Sequence, residues 1–332
     1  MTSLLHERFP DLRENLPHVA LGTRPTPVRR LEALSTGAAE IWLKDDGAFG
    51  DGGWGGNKVR KLEWLIPDAQ RSGRRTILTF GALGTNWGLA ATLYARDHGL
   101  RTALALVDQP VDDHVRAQLE RHRSSGATLH FTHSKARTVA MAPWLLARHR
   151  TGFKPPYVVP AGGSSPVGAL GYVEAALELA GQVADGVLPE PSHVVVPVGT
   201  GGTTAGLLLG LRIAGLRTRV VGVIVNDQLR LDHGQVTRLA RRTADLLRSR
   251  GADVPDPGAD PSDLLMTRDW LGEGYGHATP TALTALARAR DEEGLTLEPV
   301  YTAKALDGLL QMDADGRFGD GPVLFVNTNG PR

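Results

Sequence analysis

In GGNKVRKLEWL, residues 55 to 65, a lysine leaves a glycine turn with Asn57 before it and apolar positions at helical spacing after it. A cation at a helix start lies beside the positive end of the helix dipole, which makes a purely structural role for Lys58 electrostatically awkward. The dipole is expected to lower its pKa and so favour the neutral amine needed for a Schiff base. Any single lysine can instead simply be solvated, and Lys61, followed by Glu63, is assigned to that class.

Two more strand-glycine-helix turns could receive anions. In VVVPVGTGGTTAGLLLGL a buried strand runs into Gly199, Thr200, Gly201, Gly202, Thr203 and Thr204 and then a helix. Backbone amides freed by glycines at a helix N-terminus, with threonine hydroxyls beside them, suit a phosphate. The loop is neither a Walker loop, lacking GK[ST], nor the dinucleotide GxGxxG. A tight turn using glycine for geometry alone is the other reading. In FGALGTNWGLAA, residues 80 to 91, Thr85 and Asn86 stand where the amides of 84 to 87 can take a carboxylate, although Thr85 could equally be only an N-cap.

The elements that must position these turns alternate between strand and helix. TILTFGA (76 to 82) is a β-rich run followed by the helical NWGLAATLYARDHGL; TALALV (102 to 107) is the next strand and DDHVRAQLERHRSSGA the next helix. VVVPV (194 to 198), AGLLLGLRIAG, RVVGVIV (219 to 225) and a closing LFVNTNG (324 to 330) continue the pattern, with a charged helix and a proline-rich connection over 227 to 261. Such alternation predicts an α/β fold with parallel sheets.

Composition narrows the function classes. In 332 residues, 37 basic and 36 acidic side chains give a net charge of +1 without a basic stripe, so small molecules are expected as partners and nucleic acid is not. The absence of cysteine removes disulfides, thiolate metal sites and cysteine nucleophiles, and fits the cytoplasm. The N-terminus breaks into charges and prolines too early for a signal peptide, and the longest apolar stretch, 194 to 211, carries loop glycines and threonines unsuited to a bilayer. The eleven histidines show no HExxH spacing, so no metal is expected; His114, His122, His130 and His133 are read as solvated or locally bonded in a helix-loop region. Asp45 and Asp46, adjacent on a strand, point to opposite faces, so they are not a carboxylate pair; one is expected to cap or form a salt bridge.

GGNKVRKLEWL, GALGTNWG, PAGGSSPVGALGYVEAA, VPVGTGGTTAGL and EPVYTAKALDGL follow one another in an order that resembles the pyridoxal-phosphate enzymes of the tryptophan synthase β fold type, fold type II. Within that group the chain is most similar to the family of D-cysteine desulfhydrase and 1-aminocyclopropane-1-carboxylate (ACC) deaminase, from about residue 43 to residue 330. The resemblance implies two domains, each an open, mostly parallel twisted sheet flanked by helices: 1 to 50 plus 166 to 332 as the cofactor domain and 51 to 165 as the small domain, with the site between them. It also implies a homodimer.

The resemblance assigns the residues as follows. Lys58 aligns with the Schiff-base lysine, with Asn57 beside it, and Gly199 through Thr204 with the loop for the phosphate of pyridoxal 5'-phosphate. Asn86 matches the asparagine on the cofactor's phenolic oxygen and Thr85 a hydroxyl near the substrate. Gly84, Thr85, Asn86 and Trp87 together form the substrate loop. Tyr301 and Tyr275 match two active-site tyrosines, and Thr302 falls opposite the pyridine nitrogen, where a hydroxyl makes the ring a weaker electron sink than a carboxylate would. ACC deaminases carry glutamate there, so Thr302 leans away from ring opening.

The expected reaction is therefore α,β-elimination from a small amino acid, giving a 2-oxo acid and ammonia. ACC-type ring opening, β- or γ-replacement, and cofactor binding without turnover are the alternatives. The loop departs from the family's Q-S-N-H, with Trp87 in place of a histidine and unable to take up a proton. Asp51 to Trp54 and the terminal VNTNG depart as well, so the cofactor site looks preserved and the substrate site rebuilt.

Overall fold

The computed structural model describes residues 2–51, 54–258 and 260–330, so part of the departing segment Asp51 to Trp54 lies outside the described residues. In chain order it begins with helices α1 (Leu4–Arg8) and α2 (Leu12–Asn15), strands β1 (Val28–Arg30) and β2 (Ile41–Asp45), and helix α3 (Asn57–Arg71). A βα series follows: β3 (Thr76–Ala82), α4 (Asn86–Asp97), β4 (Arg101–Val107), α5 (Asp113–Ser124), β5 (Thr128–His133), α6 (Lys135–Arg148) and β6 (Tyr157–Val159). The chain continues through α7 (Pro166–Ala184), β7 (His193–Val198), α8 (Gly202–Ala214), β8 (Arg219–Ile224), α9 (His233–Ser249), β9 (Leu264–Thr267), α10 (Pro280–Glu293), α11 (Thr302–Ala314) and β10 (Val323–Asn327).

The strands form two sheets. One has the order β1-β2-β10-β7-β8-β9 and is parallel except for the β1 pairing; the other, β5-β4-β3-β6, is parallel throughout and is built from residues 76 to 159. Parallel strands covered on both faces read as unbroken apolar runs, and β7 and β10 are buried along nearly their whole length. Phe325 of β10 stands between Leu43 of β2 and Val195 of β7. One face of this sheet packs against α11 through Leu306, Leu309 and Met312, with Ala285 and Ala289 of α10 in the same cluster, and the other against α7 and α8 through Leu179 and Leu208.

Close backbone approach fixes α3, the helix that carries the lysines. A Cβ at Gly171 of α7 would come within 2.2 Å of the Arg60 carbonyl, so only glycine lets these two helices touch here. Arg60 is itself wholly buried, its guanidinium donating to Asp46 (3.0 and 2.9 Å) and Glu178 (3.1 and 3.0 Å), while Lys44 Nζ donates to Glu178 at 2.6 Å. Asp46 is thus the partner in the salt bridge expected of one of the two adjacent aspartates, and Asp45 accepts from Asn327 Nδ2 at 2.9 Å.

The histidine region agrees with the sequence reading at His133, exposed and 3.2 Å from Asp108, and departs from it at His122 and in the secondary structure. His130 and His133 lie on β5, a strand rather than a loop, and His122 is wholly buried, its pKa lowered to about 4 by burial. Helix α5 turns His122 inward because it follows Val115 and Gln118 on the buried face of that helix. No helix among the described residues is long and apolar enough to cross a membrane.

Candidate active site

Lys58 occupies the first turn of α3, immediately after Gly56, whose φ of 96° only glycine adopts without strain. Its Nζ donates to Asn57 Oδ1 at 2.5 Å, and Asn57 Nδ2 donates to Thr203 Oγ1 at 3.2 Å, so the lysine is tied through its neighbour to the 199 to 204 loop. Burial lowers the Lys58 pKa to about 8, against an opposing pull from the Glu298 carboxylate. The direction is the one expected from the sequence; the leading cause is loss of water rather than the helix dipole.

Lys61 overturns its assignment to the solvated class. It is 2% exposed, its Nζ donates to the Gly162 carbonyl at 2.9 Å, and burial, reinforced by the charge of Lys58, lowers its pKa to about 7. A Cβ added at Gly202 would lie 3.1 Å from this nitrogen and 2.6 Å from Ser164 Oγ. Three residues apart on α3, the two lysines lie near enough for the charge of Lys58 to act on Lys61.

The 199 to 204 loop lies beside them. Gly201 adopts the left-handed φ of 84° that starts α8, the Gly202 amide donates to Ser164 Oγ at 3.0 Å, and Ser164 Oγ meets Thr200 Oγ1 at 2.7 Å. Asn226 Nδ2 pins the Gly199 carbonyl at 3.0 Å. The Thr204 hydroxyl is buried without a hydrogen-bond partner among the described residues. Opening amides of a helix, an orphaned hydroxyl and a buried lysine nitrogen whose one hydrogen-bond partner among the described residues is a carbonyl together fit a dianionic phosphate.

The 84 to 87 loop is held from several sides. Thr85 Oγ1 accepts from the Gly88 amide at 3.2 Å and so caps α4, while the Gly84 amide donates to Gln109 Oε1 at 3.2 Å. Asn86 Oδ1 accepts from Gln118 Nε2 at 3.0 Å. Trp87 parts from the substrate group in which it was expected. Its ring is 2% exposed, its Nε1 donates to Thr79 Oγ1 at 2.7 Å, and its six-membered edge lies 2.8 Å from where a Cβ on Gly163 would stand. An indole at the first turn of α4 gains more by entering the apolar core than by facing solvent.

A third group stands at the start of α11. Tyr301 Oη donates to Tyr275 Oη at 2.7 Å with the rings nearly perpendicular, and Lys58 Nζ lies 5.9 Å from the Tyr301 ring centre. Burial raises the proton affinity of both phenols, that of Tyr301 strongly. Thr302 is buried, and all three partners of its hydroxyl belong to Glu298: it accepts from that residue's amide (3.0 Å) and faces its carbonyl (3.3 Å) and carboxylate (3.2 Å). The same carboxylate receives the amides of Val300, Tyr301 and Thr302.

Sequence reading missed Lys61, Ser164, Gln118 and Glu298. The PAGGSS and EPVYT segments did carry Ser164 and Glu298, but neither has a local spacing that marks it.

The sequence pattern of the family described as pyridoxal-phosphate dependent enzyme matches residues 19–329. The chain belongs to that family. Among pyridoxal-phosphate dependent enzymes it is similar to a D-cysteine desulfhydrase of Klebsiella pneumoniae subsp. pneumoniae, 33% identical over 325 residues that cover 95% of this chain and 94% of the relative. A solved ACC deaminase homologue shares the fold with a TM-score of 0.82 and 30% identity, covering 97% of this chain and 94% of its own. A solved threonine deaminase, at 19% identity and a TM-score of 0.64 over 100% of this chain and 99% of its own, extends the likeness of fold across the pyridoxal-phosphate enzymes of fold type II. The family and these relatives make pyridoxal phosphate the cofactor of this pyridoxal-phosphate dependent enzyme.

Proposed function

We propose that the site eliminates a β-substituent from a small amino acid, releasing a 2-oxo acid and ammonia, in the manner of the D-cysteine desulfhydrases to which the chain is similar. When bound, pyridoxal phosphate supplies a carbonyl that takes up an amino group and a ring that accepts electron density from the substrate's Cα. Lys58 would hold that carbonyl and then move the proton at Cα, with Asn57 fixing its Nζ. Gly199 through Thr204, with Lys61, would bind the phosphate. Asn86 would donate to the phenolic oxygen, and Gly84 and Thr85 would orient the substrate carboxylate. The Tyr301–Tyr275 pair would hold a proton at the β-substituent, and Thr302 would stand at the ring nitrogen.

The observation that carries the reading is Lys58 itself. Its amine has a pKa near 8, is clamped by Asn57 at 2.5 Å, and stands between the phosphate-type loop and a hydrogen-bonded tyrosine pair. A purely structural lysine has no need of those neighbours. The test is the visible absorption of wild type beside Lys58→Ala, with pyridoxal phosphate and a panel of D- and L-amino acids. A band confined to the wild type, perturbed by one amino acid and followed by 2-oxo acid release, supports elimination. Product formed only with an added thiol or amine would move the reading to replacement, and wild type that binds no cofactor would refute it.

We further propose residues 1 to 50 plus 166 to 332 as the cofactor domain and 51 to 165 as the small domain. The containment of β3 to β6 within 76 to 159 supports this division. A cytoplasmic homodimer is part of the same proposal.

A further inference from the structure

Helix α5 reaches Asn86 of the 84 to 87 loop through Gln118, whose side chain is completely buried. Gln118 Nε2 donates to Asn86 Oδ1 at 3.0 Å, and Gln118 Oε1 accepts from Arg121 Nη1 at 3.1 Å. The Arg121 guanidinium lies 5.4 Å from the ring centre of Trp54, in the segment that leads to Lys58.

A primary amide has an acceptor end and a donor end of nearly the same shape, and its hydrogen-bond network decides which end points where. Guanidinium has no acceptor, so Arg121 can face only the oxygen of Gln118. The Gln118 amide must then present N–H to Asn86, and Asn86 must answer with its own oxygen. Its Nδ2 is left directed away from α5 as a donor.

We propose that Gln118 is a positioning residue which, backed by Arg121, fixes the Asn86 amide so that its N–H faces the phenolic oxygen of the cofactor. The inference rests on the reading of Asn86 given under Proposed function. A flipped Asn86 would set one oxygen against another and weaken the bound state, so α5 determines the polarity of the hydrogen bond that the loop offers.

Gln118→Glu keeps the shape and the partner for Arg121 but removes the N–H, so that only Asn86 Nδ2 can meet it. Cofactor dissociation and the visible spectrum would be measured for wild type, Gln118→Glu, Asn86→Ala and the double variant. Gln118→Glu is expected to weaken pyridoxal phosphate by about tenfold or more. It should also move absorbance toward the shorter-wavelength band, because the phenolic oxygen keeps its proton to donate to Asn86 Oδ1. In the Asn86→Ala background the same change should add nothing further.

A Gln118→Glu protein that binds and absorbs as wild type does, or one whose effect persists without Asn86, overturns the inference. Wild type that binds no cofactor fails the underlying reading instead. If the glutamate variant does not fold, Gln118→Leu is measured on the same two readouts, where wild-type values would again overturn it and a weaker, spectrally shifted complex would support it.

Discussion

The Glu298 carboxylate raises the proton affinity of Lys58 while burial lowers it, and the outcome is an amine with a pKa of about 8. A buried lysine without that carboxylate would lose its proton at lower pH.

The capture of pyridoxal phosphate by apoprotein should follow the neutral fraction of Lys58, rising with pH through about 8 and levelling above it. Glu298→Gln removes the opposing charge and should move the rise to lower pH. Stopped-flow absorbance across a pH series measures both curves; coincident midpoints would remove Glu298 from the account.

Lys61 is expected to act on the phosphate alone. Lys61→Ala should weaken pyridoxal phosphate by about ten- to a hundredfold, as for loss of one charge-assisted hydrogen bond, and leave pyridoxal itself nearly unaffected. Titration with the two aldehydes separates this from general damage to the site, which would weaken both.

How far the sequence revealed these residues depended on the reach of their contacts. The glycine turn before Lys58 and the β7 loop are local signals, written in adjacent residues and in a change of apolar period from strand to helix, and the strand Thr76–Ala82 was legible to the residue. The partner of Lys61, by contrast, is the carbonyl of Gly162, 101 positions away, and no short-range pattern distinguishes such a lysine from a solvated one. Trp87 was misplaced for the same reason: Thr79 and Gly163, the neighbours that draw it inward, come from β3 and a turn beyond β6. Asn86 was legible as a candidate and residues 113 to 124 as a helix, but the contact of Gln118 with Asn86, 32 positions apart, was not.

The tyrosine pair should behave as one unit. Tyr301→Phe and Tyr275→Phe preserve the rings but break the 2.7 Å bond, and each is expected to lower kcat by about a hundredfold with little change in cofactor affinity. The double variant should lose little more than either single one. Multiplicative losses would argue that each phenol acts by itself.

Arg60 should matter for stability more than for chemistry. Arg60→Met leaves Asp46 and Glu178 buried with less compensation, for which a loss of about 3–5 kcal/mol is expected in denaturant titration. Burial alone would raise the Glu178 carboxyl, but Arg60 and Lys44 hold it below the ordinary value of 4.5. The wild type should therefore have this contribution in full above that value and lose it as pH falls further, and the variant's acid sensitivity should be smaller.

β10 lies between β2 and β7, although its residues, 323 to 327, are translated long after both neighbours. During synthesis the strands 41–45 and 193–198 must wait with a vacant lane between them, their inner edges exposed to any other extended segment, including that of a second nascent chain. A Cβ at Gly56, the turn that delivers Lys58, would come within 2.7 Å of Gly330, just beyond that lane. The lysine turn thus packs against the far end of the chain, so a chain ending before residue 323 is expected to lack both the central strand and the support of the turn that delivers Lys58.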